Sequence, residues 1–152
     1  MASHSSPITL SSLTYIPPTA LAPLLLDPSE QHKIAIVDVR DSDHIGGNIK
    51  GSMWIPTNQL DVRIPELLRT LKEKEKVIFY CMLSQQRGPR AALMYARAKQ
   101  RADAKDEGSR QENGGKMPTH EVCVLDGGFG SWQARYGEDE RLTQDYQPDL
   151  WD

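Results

Sequence analysis

The sequence has few cysteines, no basic excess and no long hydrophobic run, and each absence excludes a class of protein. Its two cysteines, Cys81 and Cys123, are too few for the disulfide framework of a small secreted domain. With 18 Lys and Arg against 21 Asp and Glu, the chain lacks the basic face of a nucleic-acid-binding domain. Its apolar runs are far shorter than the roughly 18 residues of a membrane span. We therefore expect neither a nucleic-acid partner nor a membrane partner.

The length of 152 residues predicts a single domain with terminal extensions. Residues 1–12 are Ser-rich and are interpreted as a polar arm, and residues 137–152 as an acidic tail that Tyr146, Leu150 and Trp151 attach to the domain. The N-terminus lacks the basic and apolar regions of a secretory signal, so a cytoplasmic and/or nuclear location is expected. His, Cys and carboxylate residues show no metal-ligand spacing, and no metal is expected.

Apolar, β-branched runs alternate with helical patterns along the chain. Residues 34–39, 76–80 and 120–125 are largely apolar, which is typical of strands buried on both faces. Residues 60–75 have helical spacing, and Pro89 suits the first turn of another helix. The alternation predicts an α/β fold with a central, mainly parallel sheet and helices on both faces.

Residues 102–118 interrupt this pattern, because charged residues, Gly, Ser and Asn dominate them. Such a composition offers almost nothing to bury, and we interpret the segment as an exposed, flexible insertion between a helix and a strand. The domain itself is therefore expected to span residues 13–136.

The segment from Cys81 to Arg87 contains the residues expected to carry the chemistry. A cysteine directly follows a predicted strand, where ligands of open α/β sheets bind, and an arginine stands where the next helix begins. The residues between them are Met82, Leu83, Ser84, Gln85 and Gln86. A short loop before a helix N-terminus points its backbone N–H groups inward and forms an anion nest. These N–H groups, through Gly88, and the Arg87 guanidinium are expected to hold a tetrahedral oxyanion.

The same positive potential favours the thiolate form of Cys81, which is the nucleophilic form of cysteine. We expect its sulfur to attack a phosphorus or arsenic centre held by the loop, and Ser84 is a candidate hydrogen-bond donor to that sulfur. The alternative is that Cys81 is an inert core residue and Arg87 a surface charge. The strand before the loop and the Gly-Pro and helix after it favour the catalytic interpretation.

Together with Gly88, Pro89 and Arg90, this loop resembles the active-site loop of rhodanese-fold phosphatases. These are the cell-division-cycle dual-specificity phosphatases and the related eukaryotic arsenate reductases. Residues 37–41 and 45–52 resemble the first rhodanese signature, and residues 124–132 the second. The resemblance covers about residues 13–136 and implies a rhodanese-like fold.

The length and composition of the loop distinguish among the activities of this family. Its sulfurtransferases use a loop one residue shorter, so the C-x5-R loop favours phosphate or arsenate chemistry. Its dual-specificity phosphatases carry a glutamate inside the loop, whereas this loop has no carboxylate to protonate a leaving group, an effect of about 10²–10⁴-fold. The resemblance therefore favours an arsenate reductase with weak phosphatase activity. It would bind no cofactor and use glutathione as external reductant, with glutaredoxin as a candidate partner.

Two other functions remain open at this stage. One is a sulfurtransferase acting on thiosulfate or a persulfide, and the other is a non-catalytic interaction module that retains the fold. Tyr80 stands where the family's phosphatases commonly carry a histidine, which changes the hydrogen bonds behind the cysteine. Cys123 lies within an apolar strand and is expected to be a buried, inert thiol.

Several charged residues lie close to the loop in the expected fold. Asp43 and His44 are the nearest candidates for a general acid outside the loop, with a solvated polar loop as the alternative. Arg90 either widens the positive field at the pocket mouth or faces water. Asp38 and Arg40 end a strand and are expected to form a structural ion pair.

Overall fold

A computed structural model of the chain describes residues 8–110 and 120–151, without the side chains of residues 106–110. The strands are β1 (Thr14–Ile16), β2 (Ile34–Asp38), β3 (Asn48–Ile49), β4 (Met53–Trp54), β5 (Lys76–Tyr80), β6 (Glu121–Leu125) and β7 (Thr143–Gln144). The helices are α1 (Pro18–Leu26), α2 (Pro28–Gln31), α3 (Thr57–Thr70), α4 (Arg87–Arg110) and α5 (Gly128–Tyr136). Short 3₁₀ helices span Leu10–Ser12 and Pro148–Trp151. Residues 1–7 of the predicted arm, 111–118 of the predicted insertion and Asp152 lie outside the described residues.

The main sheet has five strands in the order β1-β6-β5-β2-β4, and every neighbouring pair is parallel. Alternate residues of the central strand β5 enter different cores. Val77 and Phe79 pack with α3 and α4 on one face, whereas Ile78 and Tyr80 pack with α1 and α5 on the other. This arrangement confirms the predicted α/β fold, and each of the three predicted buried strands lies within one residue of its expected bounds.

Helix α3 begins and ends earlier than the predicted 60–75. Its first turn is capped from a distant segment, since Asp41 Oδ1 accepts hydrogen bonds from the Thr57 backbone N–H (2.9 Å) and from its hydroxyl (2.8 Å). Capping of the orphan N–H groups stabilises a helix start. The local sequence of α3 does not contain this cap, which is why its spacing alone misplaced the helix.

The predicted insertion at residues 102–118 is wrong in its first half, because α4 continues to Arg110. Most residues of this stretch have high helix propensity. Lys99 and Asp103 also form an i,i+4 ion pair of 2.7 Å along the helix. A polar composition therefore indicated exposure here, but not the absence of helical structure.

The C-terminal segment is tied to the domain by a second, two-stranded sheet. Strands β3 and β7 pair antiparallel. The Tyr146 hydroxyl donates to Gln133 Oε1 (2.6 Å), and Trp151 Nε1 donates to the Gly46 carbonyl (3.2 Å). The attachment predicted for Tyr146 and Trp151 is thus confirmed, whereas Leu150 is 50% exposed and contributes little to it.

Candidate active site

The predicted loop lies at the carboxyl end of the central strand. Cys81 follows the last residue of β5 and is buried, and Arg87 is the first residue of α4. Gln85 and Gln86 are exposed, as is Leu83, and Met82 is half-buried. Because these four side chains are not enclosed by the loop, their contribution to an anion site would come from their backbone groups.

Two backbone N–H groups donate hydrogen bonds to the sulfur of Cys81. That of Ser84 lies 3.2 Å from Sγ, and that of Gly88, in the first turn of α4, lies 3.3 Å away. A Cβ at Gly88 would come within 3.5 Å of Sγ, so glycine lets the helix approach closely. Donors at a helix N-terminus stabilise negative charge, and this arrangement favours a thiolate.

Ser84 contacts the sulfur through its backbone and not through its hydroxyl. Its φ of 56° lies in the left-handed region, which turns its N–H toward Sγ. Its Oγ is buried and has no hydrogen-bond partner among the described residues. The side-chain hydrogen bond to Cys81 considered from the sequence is therefore not made, and the buried hydroxyl is left available to a bound oxyanion.

Helix α5 supports the loop from behind, which the sequence analysis did not anticipate. The N–H of Phe129 donates to the Cys81 carbonyl (2.9 Å), and that of Gly130 donates to the Met82 carbonyl (2.8 Å). A Cβ at Gly128 would lie 2.6 Å from the Cys81 oxygen and 2.5 Å from the Met82 oxygen. The glycine pair at residues 127–128, seen only as a turn in the sequence, was the available signal for this contact.

Arg87 is held by a carboxylate pair from the segment after β2. Its Nη1 and Nη2 donate to Asp43 Oδ1 (2.8 Å) and Oδ2 (2.6 Å), and Asp41 Oδ2 lies 3.5 Å from Nη1. The hydrogen bonds from Arg87 are the main reason that the pKa of Asp43 falls to about 2. Asp43 is therefore ionised at neutral pH, and the interpretation of this residue as a general acid is wrong.

The other two accessory candidates also provide no acid. His44 stacks on Trp54 with ring centroids 4.2 Å apart, and its Nε2 lies 3.4 Å from Asp38 Oδ2. Burial lowers the pKa of His44, which disfavours the protonated form that an acid requires. Arg90 is exposed on the first turns of α4, so the structure favours its surface interpretation.

The buried ion pair of Asp38 and Arg40 is confirmed, with Nη2 and Oδ2 2.7 Å apart. Arg40 also donates to the Gly47 carbonyl (2.8 Å) and lies 4.5 Å from the centre of the Phe129 ring. It thereby connects the glycine-rich segment after β2 to α5. The pair is structural, as expected from the sequence, since Asp38 uses both of its oxygens on Arg40.

Tyr80 and Cys123 belong to the framework behind the loop. The Tyr80 hydroxyl accepts a hydrogen bond from the Ile49 N–H (3.1 Å) and lies 3.3 Å from Ser52 Oγ, so it supports β3. Burial raises its pKa above the ordinary value. Burial likewise raises the pKa of the Cys123 thiol to about 11, which confirms that this cysteine is buried and supports its inertness.

Neither a metal centre nor a membrane span is found in the part of the chain that the structure describes. Its His, Cys, Asp and Glu side chains do not gather in groups of three or more that could hold an ion. Its helices are not long and apolar enough to cross a bilayer.

Comparison with known proteins places this geometry in a family. The model of the rhodanese-like domain matches residues 21–135. A CDC25-like phosphatase, YCH1, of Saccharomyces cerevisiae is 38% identical over 150 residues, covering 83% of this chain and 92% of that protein. Arsenate reductase 2.2 of Oryza sativa subsp. japonica is 36% identical over 122 residues, covering 80% and 82%.

A solved structure with the same architecture is that of Ygr203w, described as a yeast protein tyrosine phosphatase of the rhodanese family. It superposes with a TM-score of 0.69 at 35% identity, covering 95% of this chain and 99% of that one. The similar proteins thus include both phosphatases and arsenate reductases, the two activities that the C-x5-R loop predicts. The chain belongs to the rhodanese-like domain family, among relatives that are CDC25-like phosphatases and arsenate reductases.

Proposed function

We propose that this protein is an arsenate reductase whose phosphatase activity is confined to esters with good leaving groups. Cys81 is the nucleophile, and Arg87 with the loop N–H groups holds the oxyanion. The relatives named as arsenate reductases and phosphatases support this class of reaction. The observation that carries the choice between the two is that Asp43, the carboxylate paired with Arg87, has a pKa of about 2 and cannot protonate a leaving group.

The two reactions differ in their need for a protein acid. Arsenate is partly protonated at neutral pH, so the oxygen that leaves when the Cys81 sulfur attacks arsenic carries its own proton. An alkyl phosphate has no such proton, and its alkoxide leaves slowly without a general acid. An aryl phosphate with an acidic phenol, such as p-nitrophenyl phosphate, needs little help. A loop without a carboxylate therefore suits arsenate better than alkyl phosphates.

An external thiol completes the reduction of the cysteinyl-arsenate adduct. Arsenic gains two electrons in passing from As(V) to As(III), one oxygen leaves as water, and two thiols become a disulfide. Glutathione is the proposed thiol and glutaredoxin the proposed protein partner. A cytoplasmic and/or nuclear location is proposed with them, because thiols remain reduced there. No bound cofactor is required.

The test compares the wild type with Cys81→Ser and Cys123→Ser. Each is assayed with arsenate, glutathione and glutaredoxin, with p-nitrophenyl phosphate, with an alkyl phosphate, and with thiosulfate plus cyanide. We expect arsenate turnover and slow p-nitrophenyl phosphate hydrolysis, both lost in Cys81→Ser. Cys123→Ser is the matched control, because it removes a buried thiol outside the loop, and it should retain both activities.

Three results would contradict the proposal, each in a different way. Rapid hydrolysis of the alkyl phosphate would indicate a phosphatase that obtains its acid elsewhere. Thiocyanate formation as the main activity would indicate a sulfurtransferase. Inactivity in all four assays, with folded protein, would favour the interaction module.

A further inference from the structure

The charge of Arg87 is more than offset by its neighbours. Both of its terminal nitrogens donate to Asp43, at 2.8 and 2.6 Å, and Asp41 lies 3.5 Å away. Asp43 is itself fixed, since its Oδ1 accepts the Asp41 N–H at 2.9 Å. One guanidinium and two carboxylates leave the group with a net charge of −1. An oxyanion that approaches Arg87 therefore also approaches a fixed negative charge.

We propose that Asp43 is a specificity-determining residue, which makes the loop discriminate against doubly charged oxyanions relative to singly charged ones. This inference rests on the proposed function and specifies its substrate class. The remaining attraction comes from neutral N–H dipoles, such as those of Ser84 and Gly88, and from the compensated charge of Arg87. Dipoles bind either charge state, whereas the repulsion from Asp43 grows with the charge of the ligand.

The discrimination fits the choice between the two candidate substrates. A phosphate monoester has a second pKa of about 6 and is mainly a dianion at neutral pH. Arsenate retains a larger monoanionic fraction there. A site that favours the monoanion therefore favours arsenate over phosphate monoesters, in addition to the effect of the missing acid.

The alternative role for Asp43 is to orient Arg87 for the oxyanion, and the two roles predict opposite results. Asp43→Asn removes the charge and keeps the shape of the side chain. If Asp43 repels the ligand, the substitution strengthens binding, and the gain for a dianion is about the square of the gain for a monoanion of the same shape. If Asp43 mainly orients Arg87, the substitution weakens the binding of both.

The experiment uses two tetrahedral probes of fixed charge, sulfate (2−) and perrhenate (1−). They are titrated into the full chain carrying Cys81→Ser, with and without Asp43→Asn, and binding is followed by NMR at the Ser84 and Gly88 amides. At low salt we expect Asp43→Asn to tighten sulfate binding about ten-fold and perrhenate binding about three-fold. The control is Asp139→Asn, which removes an exposed carboxylate paired with Arg141 in the C-terminal segment and should change neither affinity.

Weaker binding of both probes, an equal gain for both, or no change would each overturn the inference. Because the two probes are compared on one sample, the ratio of gains does not depend on the fraction of folded protein. If Asp43→Asn does not fold, Asp43→Ser removes the charge and retains a short acceptor for the Asp41 N–H. Absence of binding in every variant would overturn the proposed function together with the inference. Binding by the Cys81→Ser protein without a gain in the Asp43 variants would overturn the inference alone.

Discussion

The backbone N–H of Phe129 donates a 2.9 Å hydrogen bond to the carbonyl oxygen of Cys81, so the start of helix α5 holds the nucleophile's own peptide group. The N–H of Gly130 holds the next carbonyl, that of Met82, at 2.8 Å. With its first two carbonyls bound from behind, the loop turns so that the later N–H groups of Ser84 and Gly88 point at the sulfur. Two helix N-termini thus shape the site, that of α5 from outside and that of α4 from inside.

Gly128→Ala should destabilise the protein and distort the loop. The new Cβ would lie 2.5 Å from the Met82 oxygen, and the residue has a φ of 61°, where L side chains are strained. We expect a loss of about 3 kcal/mol in the free energy of unfolding, together with loss of Cys81-dependent turnover. Urea denaturation and the arsenate assay measure the two effects.

Gly51→Ala is the matched control for this prediction. Gly51 has a similar φ of 83°, but a Cβ there would meet nothing within 4 Å. It should cost only the backbone strain of about 1 kcal/mol and leave turnover unchanged. Equal losses in the two variants would show that the contact between α5 and the loop does not matter.

Asp43 should make the stability of the protein depend on pH at the acid end. Its pKa in the folded protein is about 2, below the ordinary value of 3.8, so it stabilises the fold above about pH 4 and this contribution is lost as the pH falls toward 2. After allowance for solvent screening, we expect about 1 kcal/mol. Thermal unfolding of wild type and Asp43→Asn between pH 5 and 2 measures it. Parallel curves would mean that the Arg87–Asp43 ion pair does not form in solution.

Tyr80→Phe should reduce stability without removing the chemistry. The hydroxyl accepts the hydrogen bond of the buried Ile49 N–H, which would be left unpaired at a cost of about 1–3 kcal/mol. Because that hydroxyl is engaged with β3 and Ser52, we expect kcat/KM for arsenate to stay within about two-fold, a change of under 0.5 kcal/mol. A large fall in kcat/KM with intact stability would assign Tyr80 a role in catalysis.

Trp151→Ala should loosen the segment between β2 and β3. Trp151 donates to the Gly46 carbonyl at 3.2 Å and packs edge-on to Phe129, with ring centroids 5.4 Å apart. We expect a loss of about 1–2 kcal/mol, measured by urea denaturation. Leu150→Ala, at an exposed neighbouring position, should change stability by less than about 0.5 kcal/mol. A similar loss in both variants would argue against a specific contact of Trp151.

The features that local sequence predicted well are those that depend on local physics. The strands at residues 34–38 and 76–80 are continuous apolar runs, and burial on both faces of a parallel sheet requires that pattern. Helix α4 shows the limit of the same reasoning. Its residues beyond Ala102 are polar, which indicated solvent exposure correctly for Arg101 and Lys105, but the helix continues because helix propensity and an i,i+4 ion pair do not require burial.

For the site, the sequence by itself determined the reacting groups: a cysteine after a buried strand, an arginine at the next helix start and a loop without a carboxylate between them. Only the tertiary structure decided what faces them. Asp43 is 44 residues from Arg87 in sequence, and Phe129 is 48 residues from Cys81, yet both pairs are in contact. Spacing along the chain encodes a turn or a helix face, but the pairing of distant loops depends on how the strand ends converge at one edge of the sheet. That convergence makes Asp43 the counter-ion of Arg87 and not an acid.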